Sequence, residues 1–166
     1  MTDLVTRAQA RWVAEGVATP SVLAGALDAF EAEYGVALPS IVRDYFEASD
    51  GTTPGGDAEC FDFWPLAEVE PIAAYHGLGP GQVEHLDGWF LFADYLIHSH
   101  CFVVRLTPGP GGVGPVAFAD GGPLVPLADS FEAFLIRYLD DRPNLRYYLP
   151  PKLGGPRARA DGGGPG

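Results

Sequence analysis

Positive charge is missing from the middle of this 166-residue chain. From Asp44 to Val104 there are 11 acidic residues and neither a lysine nor an arginine, and the whole chain has a formal charge of −12. Nucleic acids and anionic membranes need basic side chains in order to be bound, so the composition predicts neither of them as a partner. An acidic surface would instead attract a basic protein and speed the encounter, although solubility alone also explains such a surface.

Cysteine and long apolar runs are also scarce. The two cysteines, Cys60 and Cys101, are too few for a disulfide framework and form no metal-binding pattern, so each is predicted to be a small buried apolar residue. No apolar run approaches the roughly 20 residues that span a bilayer. The first residues lack the apolar core of a signal peptide. The absence of a membrane span and the absence of a signal peptide predict a cytoplasmic protein.

Composition divides the chain into three parts. They are a helical extension over residues 1–18, a single domain over 19–149 and a flexible tail rich in glycine and proline over 150–166. In the extension, Val5, Ala8 and Trp12 recur at helical spacing. We expect Trp12 to seat this helix on the main domain.

The most informative stretch covers residues 30–51 and reads FEAEYGVALPSIVRDYFEASDG. Thr19 is predicted to cap a helix that ends at Gly35, and Pro39 to begin a second helix that closes at Asp50-Gly51. The apolar face of the first helix is predicted to comprise Leu23, Leu27, Phe30 and Tyr34. The pattern therefore predicts two helices joined by an elbow, with their apolar faces buried.

Alternating apolar residues predict β-strands in the second half of the chain. The candidate strands are residues 60–64, 89–93, 96–106, 116–119 and 124–127. A helical pattern over residues 66–76 is interrupted by Pro71. Asp129 with Glu132 forms a capping-box-like start of a C-terminal helix that Pro143 is expected to stop. The predicted fold class is α+β: N-terminal helices, a largely antiparallel sheet meander, and a C-terminal helix packed on the sheet.

His98 and His100 form the sharpest enzyme-like pattern. On a strand over residues 96–106 they would share one face and could hold a metal, with a third ligand from Asp94, His76 or His85. A histidine pair on a half-exposed sheet face is the interpretation that we prefer. The chain has no serine elbow and no phosphate-binding glycine motif. We therefore predict no catalytic residue, no metal and no cofactor.

The stretch over residues 30–51 resembles the signature of the SUKH superfamily, named from Syd, Smi and Knr homology. The matching residues are Glu33, Tyr34, Gly35, Leu38, Pro39, Tyr45, Phe46, Asp50 and Gly51. Two further segments, Phe90 to Leu106 and Ala128 to Leu139, resemble the family in order and spacing, so the resemblance covers roughly Ser21 to Asp140. The best-known members are bacterial immunity proteins that bind and block polymorphic toxins. The resemblance implies the same α+β architecture.

The resemblance also implies a function. We expect a non-enzymatic binding protein, a monomer or weak dimer, that occludes the active surface of a toxin. The acidic span predicts that this partner is a basic toxin domain. The alternatives are a regulatory or scaffold protein outside a toxin system and a small metal-dependent hydrolase using His98 and His100. Six acidic residues outside the cleanest apolar patterns are predicted to contact the partner, and most of them are expected to lie on the surface. They are Asp57, Glu59, Glu68, Glu70, Glu84 and Asp87.

Overall fold

A computed structural model describes residues 2–52, 55–77, 84–107, 114–119 and 123–145. Within these ranges the helices are α1 (Asp3–Ala14), α2 (Ala26–Tyr34), α3 (Ser40–Ala48), α4 (Ile72–Tyr75) and α5 (Phe131–Leu145). The strands are β1 (Phe61–Phe63), β2 (Glu70–Pro71), β3 (Trp89–Tyr95), β4 (His100–Arg105), β5 (Val116–Ala119) and β6 (Val125–Ala128). Short 3-10 helices cover Leu66–Glu68 and Glu84–Leu86. The predicted tail over 150–166 lies outside the described residues.

The strands form one antiparallel sheet. Its order is β1-β3-β4-β5-β6, and β2 also pairs with β3. Sequence-adjacent strands from β3 onward are neighbours in the sheet, which confirms the predicted meander and the α+β fold class. Within the described residues, no helix is both long enough and apolar enough to cross a membrane.

One face of the sheet and the helices enclose the main core. Phe61 and Phe63 of β1 point into it, as their alternation predicts, and are at most 1% exposed. The ring of Phe63 lies 4.9 Å from that of Tyr138 in α5, and the ring of Phe92 lies 5.3 Å from that of Phe131. Burying each of these side chains contributes about 1.5–3 kcal/mol. The aromatic layer therefore fixes α5 against the sheet.

The N-terminal helix belongs to the same core. Val5, Ala8 and Trp12 are buried along one face of α1, as their spacing predicts. The indole Nε1 of Trp12 donates a hydrogen bond to Tyr138 Oη at 2.6 Å. The expectation that Trp12 seats this helix on the domain is thus confirmed.

The first helix of the elbow starts later than its sequence predicts. Helix α2 begins at Ala26 rather than near Thr19, and Leu23 is 81% exposed instead of lying on the buried face. The carbonyl of Pro20 accepts a hydrogen bond from the N–H of Asp50, so this segment is tied to the end of α3 in a non-helical path. Gly25, with φ of 79°, then makes the left-handed step into the helix.

The elbow itself is held by polar contacts around a buried leucine. Leu38 is 8% exposed, and its N–H donates to Glu31 Oε1 at 2.7 Å. Arg43 on α3 binds the other oxygen of Glu31 at 2.6 Å and Asp28 at 3.0 Å. These contacts join α2 to α3. The predicted helix–elbow–helix unit is therefore confirmed from Ala26 to Ala48.

Helix α5 differs from its prediction at both ends. Its cap is Ser130 rather than Asp129, because Ser130 Oγ accepts the N–H of Ala133 at 3.0 Å. Pro143 does not stop the helix, which continues to Leu145 across a kink at Asp141 with φ of −141°. Beyond the kink, Arg142 and Leu145 are buried against the rest of the protein.

Two further expectations are corrected. The strand predicted over 96–106 begins only at His100, because residues 96–99 form the turn between β3 and β4. Cys60 is exposed rather than buried and has a left-handed φ of 68°, whereas Cys101 is buried as predicted. Pro71 does divide the pattern over 66–76: it pairs in β2 and directly precedes α4.

Candidate protein-binding surface

Asp57, one of the predicted partner-binding residues, lies inside the protein. Its Oδ2 accepts hydrogen bonds from Arg142 Nη1 at 2.6 Å and from the hydroxyl of Tyr138. Its Oδ1 accepts the N–H groups of Glu59 and Phe61. The expectation that Asp57 is on the surface is therefore wrong, because this carboxylate satisfies a buried guanidinium and the loop before β1.

The other predicted acidic residues are distributed over several elements. Glu68 and Asp87 are exposed, Glu59 and Glu70 are partly buried, and the side chain of Glu84 lies outside what the structure describes. Asp87 lies just before β3, at the end of that strand opposite to the turn at 96–99. That these residues contact a partner stays a prediction. Glu59 lies near the turn at 96–99, and Glu68 and Glu70 lie near two surface depressions.

The sheet face that α5 does not cover carries a second, smaller apolar cluster. Its buried members are Trp64, Ile72, Leu86, Leu91, Cys101, Val103, Ala117 and Ala119. Asp94 is buried at its edge, where Oδ2 accepts Trp64 Nε1 at 2.8 Å and Oδ1 accepts the N–H of His98 at 2.9 Å. One carboxylate thus holds both the indole and the following turn in place.

Negative charge concentrates beside this cluster. Asp62 on β1 is paired with Asp94 across the ladder to β3. Partial burial raises the pKa of Asp62, and the negative charges of Asp94 and Glu68 raise it further. Three carboxylates therefore act on one small region of the surface, where they favour the approach of positive charge.

Two depressions flank the segment that contains Glu68 and Glu70. The larger has a volume of about 290 Å³ and is lined mainly by apolar side chains of α2, the segment before it and the 66–69 segment, with Glu33 and Asp50 beside them. The smaller, about 210 Å³, is lined by residues that include Tyr75, His98 and Cys101.

The negative charge of Glu70 raises the pKa of one tyrosine in each depression. Burial raises the pKa of Tyr34 in the larger one, and the charges of Glu33 and Glu70 raise it further. Burial also raises the pKa of Tyr75 in the smaller one, with Cys101, Asp94 and Glu70 contributing. An acidic segment therefore separates two apolar hollows.

Asp50 and Gly51 position the larger depression. Asp50 Oδ1 accepts the N–H of Leu66 at 2.6 Å, which joins the end of α3 to the 66–69 segment. Gly51 has φ of 83°, and a Cβ at this position would lie 2.6 Å from the carbonyl oxygen of Phe63. Only glycine fits that approach, so this pair of the sequence signature has a structural role.

The turn between β3 and β4 has an uncommon backbone. Leu96, Ile97 and His98 have φ of 52°, 52° and 60°, which is the left-handed region. For a β-branched residue such as isoleucine this conformation is rare, and each such residue costs on the order of 1–3 kcal/mol. Leu96 is nevertheless 46% exposed and Ile97 91% exposed. The turn thus holds two apolar side chains in solvent.

The two histidines do not share a face. The ring of His98 lies 5.4 Å from Trp64 and stacks 6.3 Å from Tyr75, beside the second cluster. The ring of His100 stacks 5.9 Å from Tyr95, whose side chain belongs to the main core. The geometry that a metal shared by His98 and His100 would need is therefore absent. Among the described residues, no group of three or more histidine, cysteine, aspartate or glutamate side chains could hold a metal ion.

Cys101 lines the smaller depression but has the wrong ionisation for a nucleophile. Burial raises the pKa of its thiol to about 11, and the negative charge of Asp94 raises it further. At neutral pH the group is a thiol, whereas nucleophilic attack requires a thiolate. Its surroundings therefore favour a packing role.

Sequence reasoning did not find the second-face cluster or the turn. The cluster could have been inferred from Trp64, Asp94 and His98. The strand predicted over 96–106, however, placed His98 on the wrong face of the sheet. The adjacent apolar pair Leu96-Ile97 between two polar stretches was the available hint that a turn presents apolar side chains.

Comparison with known proteins identifies the family of the chain. None of the curated proteins matches it significantly. The family model described as the SMI1 / KNR4 family (SUKH-1) matches residues 22–137, which is more than two thirds of the chain and includes the elbow, the sheet and the first seven residues of α5. The chain belongs to the SMI1 / KNR4 family (SUKH-1).

Proposed function

We propose that the protein is a non-enzymatic cytoplasmic binding protein that neutralises a basic bacterial toxin by covering its active surface. The observation that carries this proposal is the placement of acidic side chains beside and between two apolar hollows. Glu68 and Glu70 lie on the segment between the two depressions, and Glu59 lies next to Cys60 near the turn. Membership in the SUKH-1 family supports a role of the immunity-protein type.

Each part of this surface has a distinct role in the proposal. Glu59, Glu68 and Glu70 would attract a basic partner and border the contact, since exposed charges govern association rate more than final affinity. The apolar hollows would accept side chains from the partner, and their burial would supply most of the affinity. A catalytic cleft of the toxin would then be closed to its substrate by the bound protein.

Co-expression with a toxin tests the proposal. The product of the neighbouring gene is expressed in a host cell with and without the full chain, and growth is measured. We expect the chain to restore growth and to abolish the activity of the purified toxin at an equimolar ratio. A matched toxin from an unrelated system serves as control and should remain active.

Two results would contradict the proposal. If the neighbouring gene product is not toxic, or if it stays fully active with excess chain present, the protein is not its immunity protein. Tight binding to a neighbour that has no toxicity would favour the regulatory or scaffold alternative.

A further inference from the structure

The turn from Leu96 to Ser99 is the part of this surface that folding explains least. Leu96 and Ile97 are 46% and 91% exposed, so Ile97 adds little to the core. Both residues have left-handed backbones, which glycine, asparagine or aspartate adopt more readily. The sequence therefore keeps two apolar side chains where neither burial nor backbone preference favours them.

The turn is held in place by several hydrogen bonds. The N–H of His98 donates to Asp94 Oδ1 at 2.9 Å, and Ser99 Oγ donates to the carbonyl of Leu96 at 2.8 Å. The N–H of Leu96 donates to the carbonyl of Cys60 at 3.1 Å, which joins the turn to the loop before β1. Side chains fixed in this way lose less conformational entropy when they enter a complex.

Among the described strands, acidic side chains lie near the turn, whereas the one arginine lies far from it. Glu59 is adjacent to Cys60, and Asp62 lies opposite Asp94 on the neighbouring strand. The next basic residue along β4 is Arg105, which pairs with Trp89 at the other end of the ladder, about 17 Å away by strand rise. Charge complementarity therefore points to a positively charged partner surface.

We propose that Leu96 and Ile97 form an apolar anchor that inserts into a pocket of the partner protein, and that lysine or arginine residues border this pocket. This inference rests on the proposed function and specifies which part of the chain enters the toxin. Apolar side chains at the centre of a polar border form the arrangement in which few residues carry most of the binding energy. Glu59 and Asp62 face the basic border while Ile97 fills the pocket.

Substitution at Ile97 tests the anchor. Ile97→Gly removes the side chain and Ile97→Asn replaces it with a polar one, and both residues suit a positive φ. Affinity is measured by calorimetry with a catalytically inactive variant of the toxin domain encoded beside the gene. We expect both variants to bind at least about tenfold more weakly, which corresponds to about 1.4 kcal/mol. Their melting temperatures should equal or exceed that of the wild type.

Val13→Ala is the matched control. Val13 is 62% exposed on α1, so this variant removes an exposed apolar side chain from another part of the molecule. We expect its affinity for the toxin domain to equal that of the wild type. An equal loss of affinity for Val13→Ala would show that the turn has no special role and would overturn the inference.

The other outcomes are also distinct. Wild-type affinity in both Ile97 variants overturns the anchor and leaves the proposed function intact. Failure of the wild type to bind the toxin contradicts the proposed function itself. A clear fall in melting temperature for both variants would show that Ile97 stabilises the fold, against the inference. A wild-type dimer that Ile97→Asn dissociates, without change in toxin affinity, would assign the turn to self-association instead.

Discussion

Arg142 and Asp57, which are 85 residues apart in sequence, form a buried ion pair between the end of α5 and the loop before β1. Arg142 also binds Glu15 of the segment after α1 at 2.9 Å, and its side chain is 4% exposed. Hydrogen bonds from Arg142 and Ala58 offset the effect of burial and lower the pKa of Glu15. The kink at Asp141 precedes Arg142, and these contacts join three separate parts of the chain.

Breaking this pair should destabilise the protein strongly. Arg142→Met leaves the carboxylate of Asp57 buried without its cation, and Asp57→Asn leaves the guanidinium without its closest anion. Removing one partner of a buried pair typically costs about 3–5 kcal/mol. We expect urea denaturation at neutral pH to show a loss of this order for each single variant. The double variant should be less destabilised than the two losses added together.

Arg7→Met is the control for this cycle. Arg7 pairs with Asp140, but both side chains are about half exposed, so its loss should cost less than about 1 kcal/mol. If the losses of Arg142→Met and Asp57→Asn simply add, the two residues do not stabilise each other and the buried pair has no energetic coupling.

Asp62 should destabilise the fold at neutral pH. Burial and the charge of Asp94 raise the pKa of Asp62, so the folded state holds this proton more tightly than the unfolded chain does. The ionised carboxylate is therefore unfavourable in the fold, and stability is regained as pH falls through the raised pKa. Asp62→Asn should raise the free energy of unfolding at neutral pH, and the gain should shrink toward about pH 4.

Asp3→Asn is the matched control for this pH dependence. Asp3 is exposed in the first turn of α1, where removal of its charge should change stability only slightly and in the opposite direction. A stability gain for Asp62→Asn that grows as pH falls would have the wrong sign for a raised pKa. A loss at neutral pH would show that the carboxylate of Asp62 is favourable in the fold.

The two cysteines should differ in reactivity. Cys60 is exposed, whereas Cys101 is buried with a pKa of about 11. Alkylation of the native protein at about pH 8 should therefore modify one thiol per chain, and denaturation should release the second. Mass spectrometry of the digested protein identifies which cysteine is modified. Rapid native modification of Cys101 would mean that the second sheet face is open beneath Tyr75.

The periodic parts of this fold could be predicted from the sequence. Trp12 in α1 and Phe61 in β1 lie where helical or strand spacing places them, because those positions depend mainly on which side is apolar. The start of α2 could not be predicted, since Thr19 and Pro20 form a good local helix start but a contact with Asp50 holds them in another path. Tertiary contacts overrule local preference there.

The candidate surface was harder to predict than the fold. In the sequence, Asp57 does not differ from other acidic residues in loops. Its contact with Arg142 of α5 joins residues distant in sequence, so no local pattern could predict it. The prediction of a strand over 96–106 was wrong at residues 96–99. Leu96 and Ile97 adopt left-handed backbones there, which their residue types rarely allow. The acidic residues Glu68 and Glu70 could be proposed from composition, but their position between two apolar hollows needed the structure.

In the proposed function, Glu59, Glu68 and Glu70 guide a basic toxin to the protein. The test is the association rate constant with the inactive toxin domain, measured by stopped flow from about 50 to 300 mM salt. The variant Glu59→Gln/Glu68→Gln/Glu70→Gln is compared with Asp3→Asn/Asp129→Asn/Glu132→Gln, which changes net charge equally at exposed positions elsewhere. We predict that the first variant associates several-fold more slowly at low salt and has a flatter salt dependence, while the second stays close to the wild type. Equal rates and equal salt slopes for both variants and the wild type would contradict the account.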